Sequence, residues 1–163
     1  MSGKITPCLW FNFNAEEAAE FYVSLFPNSR IDAVHRSPAD NPSMKKGEVL
    51  LVEFTLDGRP YTGLNGGPLF PFTEAISLSI DCEDQAEVDH YWNALISGGG
   101  AESQCGWCKD KFGLSWQVVP KRMGEILSSP DRAAAERAMQ AMLEMKKLDV
   151  AALEAAFSGA ADA

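Results

Sequence analysis

Hydrophobic positions along the chain follow two rhythms, one of period two and one near 3.6, in an order that occurs twice. Ile5–Phe11 is a short apolar run ended by Asn12 and Asn14. The stretch that follows, AEEAAEFYVSLFP, puts Ala15, Ala18, Ala19, Tyr22, Val23 and Phe26 on one helical face, with Asn14 as its cap and Pro27 as its stop. The segment Arg30–His35 then leads into SPADNPSMKKG, whose prolines, glycine and mixed charges mark a surface loop. Alternation returns in EVLLVEFTLDG, and Asp57-Gly58 followed by RPYTGLNGG reads as a hairpin into a further strand.

The second pass begins at AISLSIDCEDQAEVDHYWNALISGGG, again a strand followed by an amphipathic helix and glycines. A shift of seventy residues lays Asn14 on Asp84, Glu17 on Glu87 and Phe21-Tyr22 on Tyr91-Trp92. Laying Gly58 on Gly113 puts Tyr61 on Trp116 and Thr62 on Gln117. Residues 1 to about 67 and 73 to about 120 therefore read as two copies of one βαβββ unit, which makes the fold class α+β. After Pro120 the chain is rich in helix formers, and Asp149 can cap a last short helix. Ala135, Met139, Met142 and Leu143 form the apolar stripe predicted for the first helix of this extension. The domain plan is thus a paired-module domain over 1–120, with a helical extension over 121–163 packed on it.

Composition narrows the partners. With 23 acids against 14 bases and no basic run longer than two residues, the chain offers nothing for nucleic acid or an anionic membrane surface to grip. The first residues lack the basic and apolar segments of a secretory signal, and no span approaches twenty apolar residues, so a soluble, cytoplasmic protein is expected. Cys8, Cys82, Cys105 and Cys108 are too scattered for a disulfide framework and are read as reduced thiols.

The pieces ITPCLWFN, AEEAAEFYVSLFPNS, GLNGG, FTEAISLSIDCEDQAEVDHYW, CGWCKDKFGLSWQVVP and RAMQAMLEMKKLDVAALEAAF span nearly the whole chain. Together they resemble the 3-demethylubiquinone-9 3-methyltransferase-like branch of the vicinal-oxygen-chelate superfamily, which includes glyoxalase I, bleomycin-resistance proteins and extradiol dioxygenases. The resemblance implies paired modules forming a curved mixed sheet around a cup, completed in a homodimer. It does not imply methyl transfer. A common methyltransferase needs a glycine-rich turn between its first strand and helix, and here that turn is FNFNAEEA.

Metal-using members of the superfamily take ligands from the first and last strands of each module. The matching positions are Pro7 and Thr62 in the first module, and Ala75 or Ser77 with Gln117 in the second. Only Gln117 could ligate, and one neutral amide cannot hold a divalent cation against water, so no metal and no other cofactor is expected. His35 and His90 are read as solvated or packing residues. Cys105 and Cys108 form a CxxC without a second pair and without the helix N-terminus that would activate a thiolate.

Two functions fit these residues. In the first, a metal-independent enzyme holds a small organic ligand against the sheet face that the helices leave open. Alternation in EVLLVEFTL sends Glu53 to that face as a candidate general base, against the plainer reading of a rim or interface acid. In the second, the protein binds or sequesters a ligand without chemistry, as bleomycin-resistance proteins do. Phe11, Thr62, Asn65, Ser77, Trp107 and Gln117 are the predicted ligand-binding residues for either. A homodimer is expected, with Met139, Met142 and Leu143 as added apolar surface.

Overall fold

The computed structural model describes residues 3–159. They divide into two compact units, one ending at Phe72 and one beginning at Thr73. The first unit runs β1 (Cys8–Phe11), α1 (Ala15–Leu25), β2 (Arg30–Arg36), β3 (Val49–Leu56) and β4 (Arg59–Asn65). The second repeats that path with β5 (Ser77–Cys82), α2 (Gln85–Ile96), β6 (Ala101–Glu102), β7 (Trp107–Lys109) and β8 (Ser115–Pro120). It then adds α3 (Lys121–Leu127), α4 (Arg132–Leu143) and α5 (Val150–Ser158). Each unit builds a four-stranded mixed sheet of equivalent order, β1-β4-β3-β2 and β5-β8-β7-β6. In both, the first strand is parallel to the last and the other pairs are antiparallel. The duplicated βαβββ unit read from the sequence is therefore present.

Each sheet buries one face under its helix. Leu9, Phe11, Val52 and Phe54 meet Ala15, Ala18, Ala19 and Tyr22 of α1, and the Tyr22 and Phe54 rings lie 6.4 Å apart. In the second unit Cys82, Cys108, Trp116 and Val118 lie under Val88, Tyr91, Trp92 and Leu95 of α2. Between β3 and β4, Asp57 (φ 47°) and Gly58 (φ 78°) make the two-residue turn with two positive φ angles whose twist suits a hairpin.

Two local expectations change. Asp84 caps α2 by accepting from the Glu87 N–H, but the Asn14 side chain makes no equivalent bond on α1. The Ala15 N–H is met instead by Asn65 Oδ1 at 2.9 Å, from the end of β4. The predicted stripe on α4 also rotates: Ala134, Ala135, Ala138 and Met142 are buried, while Met139 and Leu143 are about half exposed. Three alanines let α4 approach α5 closely, and the larger side chains stay outside.

The three C-terminal helices share a core of Ile126, Ala138, Met142, Leu148 and Leu153. Arg137 donates to the Ala156 and Phe157 carbonyls, satisfying acceptors that the end of α5 would otherwise leave open. The 145–150 segment clamps the second module. Cys105 and Gly106 donate their N–H groups to the Met145 and Lys146 carbonyls, and Gln85 on α2 bonds the Leu148 carbonyl and the Val150 N–H. No helix among the described residues is long and apolar enough to cross a membrane.

Candidate functional site

The sheet face opposite α1 carries most of the chemistry in the first unit. Register sets the row: Cys8 on β1 stands beside Thr62 on β4, and Thr62 stands beside Glu53 on β3. His35 on β2, level with Leu51, reaches Glu53 diagonally, with Nε2 2.6 Å from Glu53 Oε2 and both side chains about half exposed. A carboxylate only accepts, so Nε2 carries the proton and donates it to Glu53. Thr55, two residues on from Glu53, donates its hydroxyl to Asp32 at 2.6 Å.

A β-bulge puts His35 there. Ile31 pairs with Phe54 and Ala33 pairs with Glu53, so Asp32 is the extra residue on β2. Strict alternation from Ile31, which faces α1, would have turned His35 inward. The bulge reverses the parity and sends it to the open face. A second irregularity follows between His35 and Arg36.

In the second unit the open face carries Ser77, Ser115, Gln117, Trp107 and Lys109. Gln117 Nε2 donates to Ser77 Oγ at 3.0 Å, and Trp107 is the register partner of Gln117. The predicted site residues thus fall into two groups, Glu53 with Thr62 in one unit, and Ser77, Gln117 and Trp107 in the other.

Phe11 and Asn65 lie elsewhere, which corrects their assignment to the open face and its rim. They are register partners, and both are turned toward α1. Phe11 is 2% exposed and meets Phe72 edge to face at 5.3 Å. Asn65 is a buried strut, accepting from Ala15 N–H and donating to the Val49 carbonyl at 2.9 Å. It also borders a cavity of about 510 Å³ at the α1 N-terminus, walled by Phe13, Met44, Arg36 and three glutamates. Pro7 and Ala75 precede their strands, so the first-strand residues level with Thr62 and Gln117 are Cys8 and Ser79.

These donors do not fit a divalent cation. Glu53 and His35 are adjacent, but among the described residues no group of three His, Cys, Asp or Glu side chains converges. Nor does the β1–α1 connection fit a nucleotide-type cofactor: it contains no glycine, and Phe13 occupies its positive-φ position at 63°. The CxxC pair is not poised for redox chemistry. Cys108 faces the helix side, where burial pushes its thiol up to about 12, and Cys105 belongs to the turn held by the C-terminal clamp. His90 is an exposed helix residue against Tyr91, their rings 5.0 Å apart.

Comparison with known proteins agrees with this architecture. Residues 3–119 match the 3-demethylubiquinone-9 3-methyltransferase family. A PhnB protein from Bacillus cereus, described as a 3-demethylubiquinone-9 3-methyltransferase, is 35% identical with a TM-score of 0.65, over 72% of this chain and 99% of that one. A protein from Pseudomonas aeruginosa is 23% identical with a TM-score of 0.60, over 73% of this chain and 98% of that one. A glyoxylase/bleomycin resistance/dioxygenase domain from Frankia shares 16% identity at a TM-score of 0.47, over 74% and 92% of the two chains. No curated protein matches. The duplicated βαβββ path and the match over residues 3–119 agree: the chain belongs to the 3-demethylubiquinone-9 3-methyltransferase family.

Proposed function

We propose that the protein binds a small organic molecule on the open sheet face of the first unit and acts on it by metal-independent proton transfer at Glu53. The observation that carries this reading is the 2.6 Å contact between Glu53 and His35 on a face that the helices leave uncovered. A structural ion pair needs no such placement. Here the pair is half open, Thr62 stands beside it, and a bulge in β2 is spent on orienting the imidazole.

In this reading one oxygen of Glu53 accepts the His35 Nε2 hydrogen, and the other takes a proton from the ligand. His35 thereby holds the carboxylate in place and stabilises its charge before the transfer. Methyl transfer has no support from the β1–α1 connection, and the donor set favours chemistry without a metal. Turnover of a panel of small carbonyl compounds and electrophiles by the wild type and by Glu53→Gln tests this directly. The expected result is retained binding with a loss of about 10²-fold or more in rate. Equal turnover by the variant would refute it.

A second reading rests on Trp107, half-buried on the open face beside the Gln117–Ser77 pair, an aromatic and amide lining that binds without reacting. Ligand binding with no Glu53-dependent turnover on any substrate would select this reading. We also propose that the protein is a cytoplasmic homodimer. Each sheet has edge strands without a strand partner among the described residues, β1 and β2 in one and β5 and β6 in the other, and the four cysteines are free thiols. Light scattering at micromolar concentration should give twice the chain mass of 17.7 kDa, and a monomer would overturn the dimer.

A further inference from the structure

Among the described residues, one buried side-chain polar atom has no hydrogen-bond partner, and it lies on the open face of the second sheet. Ser115 is 1% exposed, and its Oγ makes no bond. An unmet buried hydroxyl costs about 1–3 kcal/mol, so its presence calls for an explanation. Its two register neighbours are Ser77 on β5 and Lys109 on β7. Ser77 Oγ accepts from Gln117, which leaves its own O–H to donate. The Lys109 ammonium is held by the Glu74 carboxylate, and both side chains are well exposed. Trp107 stands two residues back along β7 on the same face, about 6.6 Å away by strand rise.

We propose that this face is a subsite for the carboxylate of a small aromatic acid, which replaces Glu74 on Lys109, accepts from Ser115 and Ser77, and lays its ring against Trp107. The proposal rests on the reading that an open sheet face binds a small molecule, and it names the chemistry that the second unit's face takes.

The donors decide the class. Two hydroxyls and one lysine stand side by side at one level of the sheet, which suits an anion and repels a cation. A single ammonium balances one negative charge, and Asp81 further along β5 on the same face disfavours a dianion such as phosphate. Glu74 already shows a carboxylate on Lys109, yet it does not reach the Ser115 hydroxyl. An incoming carboxylate that bonds both Lys109 and Ser115 gains a donor that Glu74 leaves unused. The exchange breaks one ion pair and forms another, so Coulomb energy nearly cancels and the added hydrogen bonds decide the outcome.

Benzoate and its neutral isostere benzamide, titrated into the full chain by calorimetry, test the assignment. Benzoate should bind at least about tenfold tighter than benzamide, the ratio expected for one charge-assisted bond. Lys109→Gln should remove that preference. Ser115→Ala should weaken benzoate by about fivefold with an unchanged circular dichroism spectrum. Glu74→Gln should tighten benzoate by about threefold, because the resident competitor is gone. Equal affinity for the two probes, or a preference indifferent to Lys109→Gln, would overturn the proposal. Glu53→Gln should leave benzoate binding intact. A failure of the carboxylate subsite beside intact Glu53-dependent turnover thus refutes this inference alone, and benzoate selectivity without such turnover refutes only the catalytic reading.

Discussion

The two modules share a topology and differ in what they place on it. The first has long strands, β2 of seven residues at the edge and β3 of eight beside it, and its open face carries a thiol, a carboxylate and an imidazole. In the second, the equivalent β6 and β7 shrink to two and three residues, and the open face carries hydroxyls, an amide, an indole and the Lys109 ammonium. Short strands leave the second module poor in ladder bonds. The helices α3 to α5, beyond the residues that match the family, brace it through the Met145, Lys146 and Leu148 carbonyls. The two faces therefore differ in what they present: an acid–imidazole pair where the sheet is extensive, and hydroxyls, an amide, an indole and one lysine where the strands are short.

The largest test of that contrast compares Trp116 with Tyr61, which occupy equivalent positions in the last strands. Trp116 is 2% exposed and donates its Nε1–H to Asp110 at 2.9 Å, whereas Tyr61 is half-buried and stacks on Phe54 with centroids 5.7 Å apart. Trp116→Ala should cost about 4 kcal/mol and Tyr61→Ala about half as much. Denaturant unfolding measures both. Equal costs would mean that the braced module is no more dependent on its core than the other.

Next in size is Asn65→Ala in the first module. Removing the side chain strands the buried Ala15 N–H and the partly buried Val49 carbonyl, for a loss of about 2 kcal/mol. Asn14→Ala should cost less than 0.5 kcal/mol, because its side chain makes no cap bond. The reverse ranking in thermal melts would restore Asn14 as the cap.

A last contrast separates the modules by pH. Cys82 and Cys108 both lie in the second, and burial raises each thiol to about 12 from an ordinary value near 9. Between those values the unfolded chain has lost protons that the folded chain keeps. Stability contributed by these thiols is therefore complete below pH 9 and falls as pH rises toward 12, by up to about 1.4 kcal/mol per pH unit for each thiol. Cys108→Ala and Cys82→Ala should flatten that alkaline slope. At pH 8 iodoacetamide should label exposed Cys8 in the folded protein and spare both buried thiols.

Much of this protein was legible from order and spacing alone. Period-two and period-3.6 patterns are local properties of the chain, so they predicted the repeated βαβββ path, the Asp57-Gly58 hairpin and the outward turn of Glu53 without any tertiary information. The partners of those residues were not local. His35 reaches Glu53 because Asp32 is an extra residue in β2, and a single insertion that turns His35 to the open face leaves no mark in hydropathy. Phe11 and Asn65 turned inward for a related reason: β1 begins at Cys8, and its register with β4 fixes which alternate residues meet α1. Asn14 precedes α1 as a cap residue should, yet the bond came from Asn65, fifty residues away, because β4 ends beside the helix start. Sequence determined the elements and their repetition, since these follow from neighbouring residues. Tertiary structure decided which side chains share a face, since strand register and bulges arise only when distant segments pair.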